Sequence, residues 1–150
     1  MMYSIEFDSD LIKGVKLIDI ELLNPHEKII ERKKTSLAKF IKSYDSYYII
    51  SSIVCCHKSL LIIDGHHRYF ALKELGFKKV PVTLIDYQSN SIRTGSINPL
   101  DKKYIVDVGK SSDLLEPKST EHAVYCNNSK SWEPIILLSS MFKINTKEIT

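Results

Sequence analysis

The run IIDGHHRYFALKELGFKKVPV, residues 62–82, contains strong signals for a strand, a turn, a helix and a second strand in close succession. An apolar strand over residues 59–63 leads directly into it and ends at Asp64-Gly65. Residues 67–75 predict a short helix, because their apolar positions share one face and Gly76 stands where a left-handed cap residue is expected. Residues 80–87 predict the next strand. A strand, a tight glycine turn, a helix and a second strand indicate an α/β domain.

The flanking segments predict further strands and a long helix. Alternating apolar residues indicate a strand over residues 15–22, and apolar residues at helical spacing indicate an amphipathic helix from Lys28 to near Tyr44. The remaining predictions are a hairpin formed by residues 47–54 and 59–63, a helix or strand over residues 101–110, and an apolar run of uncertain type over residues 134–142.

Length and composition limit the size of the core. The chain has 150 residues, of which 43% are hydrophobic. This is enough apolar material for one core of ordinary size, and the length is too small for two large domains. A polar stretch over residues 88–99 is the expected boundary. It predicts a domain at residues 1–95 and a small C-terminal lobe at residues 96–150.

Charge and cysteine content weigh against several classes of protein. The 21 basic and 18 acidic residues are interspersed, so the net charge of +3 forms no basic patch and argues against a nucleic-acid partner. No stretch approaches the length of a membrane-spanning helix, and residues 1–15 contain no apolar signal segment. Three cysteines, two of them adjacent, do not suggest a disulfide framework. These features predict a cytoplasmic protein with no membrane partner.

The turn DGHHR at the end of the apolar strand predicts an anion site. The first backbone N–H groups of a helix have no partner inside it, and the helix dipole adds partial positive charge there. Gly65 lets the main chain approach a phosphate because it carries no Cβ. Arg68 offers a fixed fork of donors, and His66 and His67 offer imidazole donors. Asp64 is a candidate for orienting a histidine or a bound Mg²⁺ and its waters.

The same turn has a purely structural interpretation. Asp64 would cap the helix, and Arg68 would pair with a surface acid, as such residues often do. Short motifs produce many false matches, so the turn alone does not decide between the two interpretations.

The whole run over residues 62–82 resembles the signature of the ParB/sulfiredoxin superfamily, in which this loop holds nucleotide phosphates. Within that superfamily, the double histidine and the aromatic residue after Arg68 look most like the free L-serine kinases, which use ADP or ATP to make O-phosphoserine. The resemblance implies an α/β (α+β) fold with a small mixed sheet, flanking helices and a C-terminal lobe that completes the active site. It implies a nucleotide and a small amino acid as partners, and leaves the oligomeric state unknown.

Two outer segments resemble the same kinases. LNPHEKIIE, residues 23–31, is similar to their Pro-His-Glu segment, whose glutamate is the proposed catalytic base, and the resemblance gives that role to Glu27. LEPKSTEHAV, residues 115–124, is similar to their C-terminal Pro-Lys-Ser/Thr-Thr-x-His segment. By that similarity, the residues beside the nucleotide are Lys118, Ser119, Thr120 and His122.

These outer residues also have structural interpretations. Glu27 fits an acid that complements the dipole of the following helix, and His26 fits a loop histidine packed on Pro25. Lys118 fits a solvated lysine, and Thr120 fits a cap for the element that follows it.

The resemblance implies a mechanism that relies on positioning and charge neutralisation. The amides of residues 65–68, the Arg68 guanidinium and Lys118 would hold the terminal phosphates. Mg²⁺, bound mainly through the nucleotide phosphates and with Asp64 as a candidate ligand, would offset the developing charge. Glu27 would take the proton from the acceptor hydroxyl.

Two alternatives to a serine kinase stay open. The kinases usually carry a tryptophan soon after the strand that corresponds to residues 80–87, whereas residues 91–99, SIRTGSINP, contain none, so the acceptor is open to other small hydroxyl compounds. The second alternative is a ParB-like regulator or DNA-binding protein that senses a nucleotide or other ligand without catalysis. A sulfiredoxin is not favoured, because its chemistry needs a cysteine where this chain has His66.

Overall fold

The computed structural model describes residues 3–41 and 46–145 of the chain. Two short 3₁₀ turns, Ile20–Leu22 and Ile135–Leu138, accompany the regular elements. Those elements, in chain order, are β1 (Ile12–Asp19), α1 (Glu31–Ile41), β2 (Tyr47–Ser51), β3 (Ile53–Cys56), β4 (Ile62–Asp64), α2 (His66–Glu74), β5 (Lys79–Ile85), β6 (Ile92–Arg93), α3 (Lys102–Gly109), β7 (Ala123–Cys126), β8 (Ser131–Pro134) and β9 (Met141–Asn145).

A four-stranded mixed sheet with strand order β1-β5-β3-β4 forms the centre of the fold. β5 pairs antiparallel with β1 and parallel with β3, and β3 pairs antiparallel with β4. The chain leaves the sheet edge at β4, passes through α2 and returns to the centre as β5. β3 and β5 are buried along nearly their whole length, and their sequences are therefore mainly apolar rather than alternating, with Thr83 of β5 as a buried polar residue.

Two hydrophobic clusters pack against the central sheet, one on each face. Successive strand residues point to opposite faces, so Ile53 and Cys55 of β3 join the first cluster, and Val54 and Cys56 join the second. The first cluster includes residues of α1, α2, β2 and β9, and the second includes residues of α3, β7 and the 3₁₀ turn before β9. The second face therefore carries α3 and β7, whereas the last strand, β9, packs with the first cluster.

The predicted α/β fold is confirmed, with several element boundaries shifted. The first strand is Ile12–Asp19 rather than residues 15–22, because its last predicted residues form a 3₁₀ turn. The long helix begins at Glu31, and its predicted end near Tyr44 lies outside the described residues. The open choice over residues 101–110 is settled as a helix. Gly76 has the predicted left-handed conformation, with a φ of 86°.

The predicted hairpin is wrong in its first half. β3 and β4 pair as expected, but β2 pairs with β9 in a separate two-stranded sheet. The two strands separate at Ser52, which is buried and lies within 2.7 Å of the Thr83 hydroxyl. The Ser52 hydroxyl also accepts a hydrogen bond from the Ser140 N–H at 2.9 Å. Both halves of residues 47–54 are rich in β-formers, so their composition does not reveal the break.

Strands on both sides of the predicted lobe boundary pair with each other. The polar stretch over residues 88–99 contains β6, which joins β7 and β8 in a three-stranded sheet. The apolar run over residues 134–142 divides into a 3₁₀ turn and the start of β9, which returns to β2. The division at residue 95 stays a prediction. Within the described residues, no helix has the length and apolar character needed to cross a membrane.

Replacing Ser52 with alanine is expected to lower the free energy of unfolding by about 1–3 kcal/mol, because the buried Thr83 hydroxyl and Ser140 N–H each lose a partner. Chemical denaturation measures the change. Ser112→Ala, at an exposed position, is the matched control and should change stability by less than about 0.5 kcal/mol. Equal effects from the two substitutions would contradict a supporting role for the Ser52 hydroxyl.

Candidate active site

The turn between β4 and α2 requires glycine for two reasons. Gly65 is the N-cap residue of α2 with a φ of 105°, a conformation that L side chains rarely adopt. A Cβ added at this position would lie 2.8 Å from Arg68 Nη1 and 3.4 Å from the Ile53 side chain. No side chain caps this helix start within the described residues. The first N–H groups of α2 therefore remain available to a ligand.

The start of α2 lines a cleft of about 470 Å³. The structure brings all but one of the predicted site residues to this cleft: Glu27, Asp64, Gly65, His66, His67, Arg68, Lys118, Thr120 and His122. Ser119 is the exception, because its hydroxyl donates to the Glu116 carbonyl and it lines a neighbouring cavity instead. The cleft also contains residues that the sequence reasoning missed, notably Glu121 and the apolar wall at residues 134–136. Glu121 lies inside the outer segment 115–124, which was its available signal.

His66 and His67 accept hydrogen bonds through Nε2. His66 Nε2 accepts from the N–H groups of His26 at 3.0 Å and Glu27 at 3.3 Å, and His67 Nε2 accepts from the Ile30 N–H at 3.0 Å. A backbone N–H can only donate, so each imidazole is unprotonated at Nε2 and its donor is Nδ1–H. These bonds fasten the Pro-His-Glu segment to the start of α2.

Both imidazoles are held in the neutral form. Burial is the largest cause and, with His26 nearby, lowers the pKa of His66 to about 3. Burial and the nearby Lys33 ammonium also lower the pKa of His67. Any donation from these rings to a phosphate therefore comes from a neutral imidazole rather than from an imidazolium.

The Glu27 carboxylate joins the two outer segments. Its Oε1 accepts from the Lys118 N–H at 3.0 Å, and its Oε2 accepts from the Thr120 N–H at 3.0 Å and from the Thr120 hydroxyl. Burial raises the pKa of Glu27, but hydrogen bonds from His26 and Thr120 and the nearby His66 outweigh it and lower the pKa to about 2. The interpretation of Glu27 as a first-turn helix acid is wrong, because α1 begins only at Glu31.

His26 is a fully buried part of the site rather than a loop histidine packed on proline. Its Nδ1 donates to the Ile62 carbonyl at 2.8 Å, and its Nε2 lies 3.1 Å from the Thr120 hydroxyl oxygen. Its ring also meets the His66 and His122 rings edge-on, with centroids 4.5 and 5.7 Å apart. Sequence reasoning gave His26 no site role, although it is the central residue of the Pro-His-Glu segment.

Asp64 and Arg68 do not have the structural roles considered for them. Asp64 does not cap α2, and its Oδ2 is buried without a hydrogen-bond partner among residues 3–41 and 46–145. Arg68 is half-buried, and its Nη1 donates to the Ser52 carbonyl at 3.0 Å rather than pairing with a surface acid. Burial raises the pKa of Asp64, and the nearby Arg68 partly offsets this effect.

The acidic groups of the cleft do not form a metal site by themselves. In the described part of the chain, no three histidine, cysteine, aspartate or glutamate side chains are grouped so that they could hold a metal ion. Mg²⁺ usually takes only one or two protein carboxylates and completes its shell with phosphate oxygens and water. The orphaned Asp64 Oδ2 fits that limited role.

Lys118 and His122 complete the cleft on the side of the C-terminal segment. Lys118 is exposed and has a positive φ of 62°. Its charge lowers the pKa of Lys33, so the two ammonium groups lie close together. Besides burial, both charges also lower the pKa of His67, which is therefore near them. His122 is buried, and its Nε2 lies 2.8 Å from the Tyr87 hydroxyl oxygen. Burial lowers the pKa of His122 to about 3, so this ring is also neutral.

Comparison with known proteins agrees with this fold and these motifs. No protein-family model matches the chain. The chain is 40% identical over 103 residues to an ATP-dependent L-serine kinase of Staphylothermus marinus, an alignment that covers 67% of this chain and 38% of that protein. It is 30% identical over 110 residues to a ParB-like protein of Sulfolobus acidocaldarius, covering 73% of this chain and 52% of that protein.

Among solved structures, a free serine kinase mutant in complex with AMP has a similar fold. The TM-score is 0.70 at 13% sequence identity, and the match covers 100% of this chain and 98% of that chain. The chain therefore has the fold of a free serine kinase, an α/β fold with a small mixed sheet and flanking helices. Within that class, the predicted resemblance to the free L-serine kinases is confirmed by curated relatives of that name. The chain spans only 38% and 31% of the length of two such kinases.

Proposed function

We propose that the cleft transfers a phosphoryl group from ATP or ADP to the hydroxyl of free L-serine or a similar small hydroxyl compound. The observation that carries this proposal is the convergence of three distant segments on the first turn of α2. His66 accepts from the N–H groups of residues 26 and 27, and Glu27 accepts from those of residues 118 and 120. Phosphoryl transfer needs this arrangement, since a base, an anion site and an acceptor site must meet at one point.

The start of α2 and the lysines beside it form the proposed phosphate site. The N–H groups of residues 66–68 follow an uncapped glycine, and the helix dipole adds positive charge there. Lys118 and Lys33 bring two ammonium groups close enough to repel each other, and an anion between them would remove that repulsion. Arg68 gives one donor to the Ser52 carbonyl and is also one of the residues that line the cleft.

We propose Asp64 as the protein ligand of Mg²⁺, with the nucleotide phosphates supplying the other anionic oxygens. Its Oδ2 is buried and has no partner within the described residues, so a cation would satisfy it. When bound, the ion would neutralise charge that develops on the phosphate oxygens.

Glu27 is proposed as the group that accepts the hydroxyl proton. The new bond joins the acceptor oxygen to phosphorus, the bond from phosphorus to the departing nucleotide breaks, and the hydroxyl proton passes to the carboxylate. A pKa of about 2 makes Glu27 a weak base but guarantees that it is ionised at neutral pH. A weak base suffices where the transition state is loose, because little negative charge then collects on the attacking oxygen before bond formation.

The acceptor is proposed to bind where the main cleft meets a second cavity of about 250 Å³. Lys118 and Glu121 line both cavities, and residues 94–100 form the far wall of the second one. The Glu121 carboxylate suits the ammonium group of an amino acid. This wall occupies the segment where the expected tryptophan is absent, so specificity for serine depends on different residues here.

The second candidate function is a nucleotide-sensing regulator, which the similarity to a ParB-like protein supports. Product analysis distinguishes it from a kinase. The protein would be incubated with Mg²⁺, either ATP or ADP, and L-serine, D-serine, L-threonine or glycerol. A phosphorylated product in any mixture supports a kinase, and its identity defines the acceptor. Nucleotide binding without product from any acceptor would favour the regulator.

Replacing Lys118 with methionine is expected to weaken nucleotide binding about tenfold, which corresponds to the loss of one charge-assisted contact of about 1.5 kcal/mol. Calorimetric titration with ATP measures the change. Lys28→Met removes the same charge from a side chain that is paired with Glu116 and does not line the cleft. It should change the affinity by less than about twofold. Equal losses in the two variants would show that only net charge matters.

A further inference from the structure

Tyr87 is a core residue whose hydroxyl contacts a side chain of the cleft, that of His122. It follows β5, has no exposed surface and belongs to the second hydrophobic cluster. Its hydroxyl oxygen lies 2.8 Å from His122 Nε2, and His122 lines the cleft. A buried hydroxyl in an apolar cluster needs a partner, and His122 provides it.

The direction of this hydrogen bond follows from the chemistry of the two groups. Burial raises the pKa of Tyr87 and lowers that of His122, so both are neutral and one proton lies between them. A phenol is the stronger donor, and an unprotonated imidazole nitrogen is a better acceptor than a phenol oxygen. If His122 donated instead, the Tyr87 hydrogen would need another buried acceptor, at a cost of about 1–3 kcal/mol.

The same arrangement occurs at two other rings of the cleft. His66 and His67 also have Nε2 occupied, by backbone N–H donors whose direction is fixed. In each case the proton that remains on the ring is on Nδ1. Three neutral imidazoles in one anion-binding cleft would then share a single tautomer, although their donors come from different parts of the chain.

We infer that Tyr87 is a positioning residue that holds His122 as the neutral Nδ1–H tautomer, so that His122 offers the cleft a hydrogen-bond donor. The other tautomer would turn a lone pair toward the bound phosphates or acceptor and repel their oxygens. The catalytic consequence rests on the proposed function, whereas the tautomer itself does not.

The groups around His122 do not supply a competing proton donor in the described part of the chain. The His26 ring meets it edge-on at 5.7 Å, with Nδ1 of His26 committed to the Ile62 carbonyl. Glu27 is ionised and can only accept. Lys102 lies over the Tyr87 ring and donates to the Ser89 carbonyl at 2.8 Å. Tyr87 is therefore the group that sets the protonation pattern.

Nitrogen-15 NMR of histidine-labelled protein tests the inference directly. Long-range proton–nitrogen correlation distinguishes the two neutral tautomers, and His122→Gln identifies the signals by their loss. We expect the wild type to show protonated Nδ1 and unprotonated Nε2 at His122. We expect Tyr87→Phe, which removes only the hydroxyl oxygen, to show a mixture of tautomers or protonated Nε2. Tyr104→Phe, on an exposed side chain of α3, is the matched control and should keep the wild-type pattern.

Kinetics provides the second readout. Tyr87→Phe is expected to lower kcat about tenfold with little change in the KM for nucleotide, because only part of the His122 population then offers a donor. Asparagine places its N–H near the position of Nδ1 and glutamine near that of Nε2, so His122→Asn should be more active than His122→Gln. This comparison holds even if Tyr87→Phe folds poorly.

Three outcomes would overturn the inference: protonated Nε2 at His122 in the wild type, an unchanged pattern in Tyr87→Phe, or greater activity in His122→Gln than in His122→Asn. Failure of the proposed function gives a different result. The wild type would then show the expected nitrogen pattern and transfer no phosphate to any acceptor.

Discussion

Replacing Glu27 with glutamine is expected to lower the rate of phosphoryl transfer by about a hundred- to ten-thousandfold, the usual contribution of a positioned general base. Glutamine keeps one oxygen acceptor for the 118–120 segment but cannot take the hydroxyl proton. The glutamine NH₂ group would replace one carboxylate oxygen and would face either the Lys118 N–H or the Thr120 N–H. That N–H would then lose its acceptor. Steady-state kinetics and ATP titration together separate loss of turnover from loss of binding.

A second variant separates the chemical role of Glu27 from its structural one. Thr120→Val removes the hydroxyl bond to Glu27 and leaves both backbone bonds and the carboxylate in place. If Glu27 only tied the two segments together, the two variants would lose activity to a similar degree. We expect Thr120→Val to keep most of the nucleotide affinity and to lose far less turnover than Glu27→Gln.

The stability of the Glu27 contact should depend on pH in a defined window. The folded-state pKa of about 2 is below the unfolded value of 4.5, so the contact stabilises the fold fully above pH 4.5 and is lost as the pH falls toward 2. At neutral pH the free energy of unfolding of the wild type should exceed that of Glu27→Gln by on the order of 2 kcal/mol. This figure is reduced for partial solvent screening. Denaturation at a series of pH values should show this difference shrinking between pH 4.5 and 2.

Replacing Gly65 with alanine is expected to weaken nucleotide binding by at least about tenfold and to destabilise the fold by about 2–4 kcal/mol. The new Cβ would lie only 2.8 Å from Arg68 Nη1. It would push this atom away and disturb its hydrogen bond to the Ser52 carbonyl. The φ of 105° adds backbone strain. Calorimetry with ATP and chemical denaturation measure the two effects.

Gly76→Ala is the matched control for backbone strain. Gly76 also has a positive φ, 86°, but a Cβ there would meet no atom within 4 Å among the described residues. The Gly76→Ala substitution should lower the free energy of unfolding by the backbone strain alone, about 1–2 kcal/mol, and leave nucleotide affinity unchanged. Similar loss of affinity in both variants would mean that Gly65 matters for folding alone and not for a close approach of phosphate.

The central unit of the fold could be predicted because several local signals agree there. An apolar strand, a glycine that allows a left-handed turn, a helix with one apolar face and a second glycine at its end all lie within residues 59–76. The pairing of β2 with β9 could not be predicted, since it depends on contacts between residues about 90 positions apart and on a break at Ser52 that composition does not reveal.

For the site, the sequence predicted which residues take part better than it predicted how they are arranged. The motifs predicted most of the polar residues that line the cleft, but not Glu121 and not the direction of the hydrogen bonds. His66 and His67 were expected to donate to phosphate, and the structure shows that Nε2 of each accepts from the Pro-His-Glu segment. The link from Tyr87 to His122 joins residues far apart in sequence, and the strand pattern of residues 80–87 marks Tyr87 only as a strand residue.

Phosphorus NMR would detect transfer of phosphate to L-serine and its dependence on Glu27 in one experiment. The wild type and Glu27→Gln would each be incubated with Mg²⁺ and L-serine, with ATP in one series and ADP in the other. We expect an O-phosphoserine resonance from the wild type with at least one donor, and its near absence from Glu27→Gln while that variant still binds nucleotide. Equal product from the two proteins would contradict the role of Glu27, and no product from a wild type that binds nucleotide would contradict serine as the acceptor.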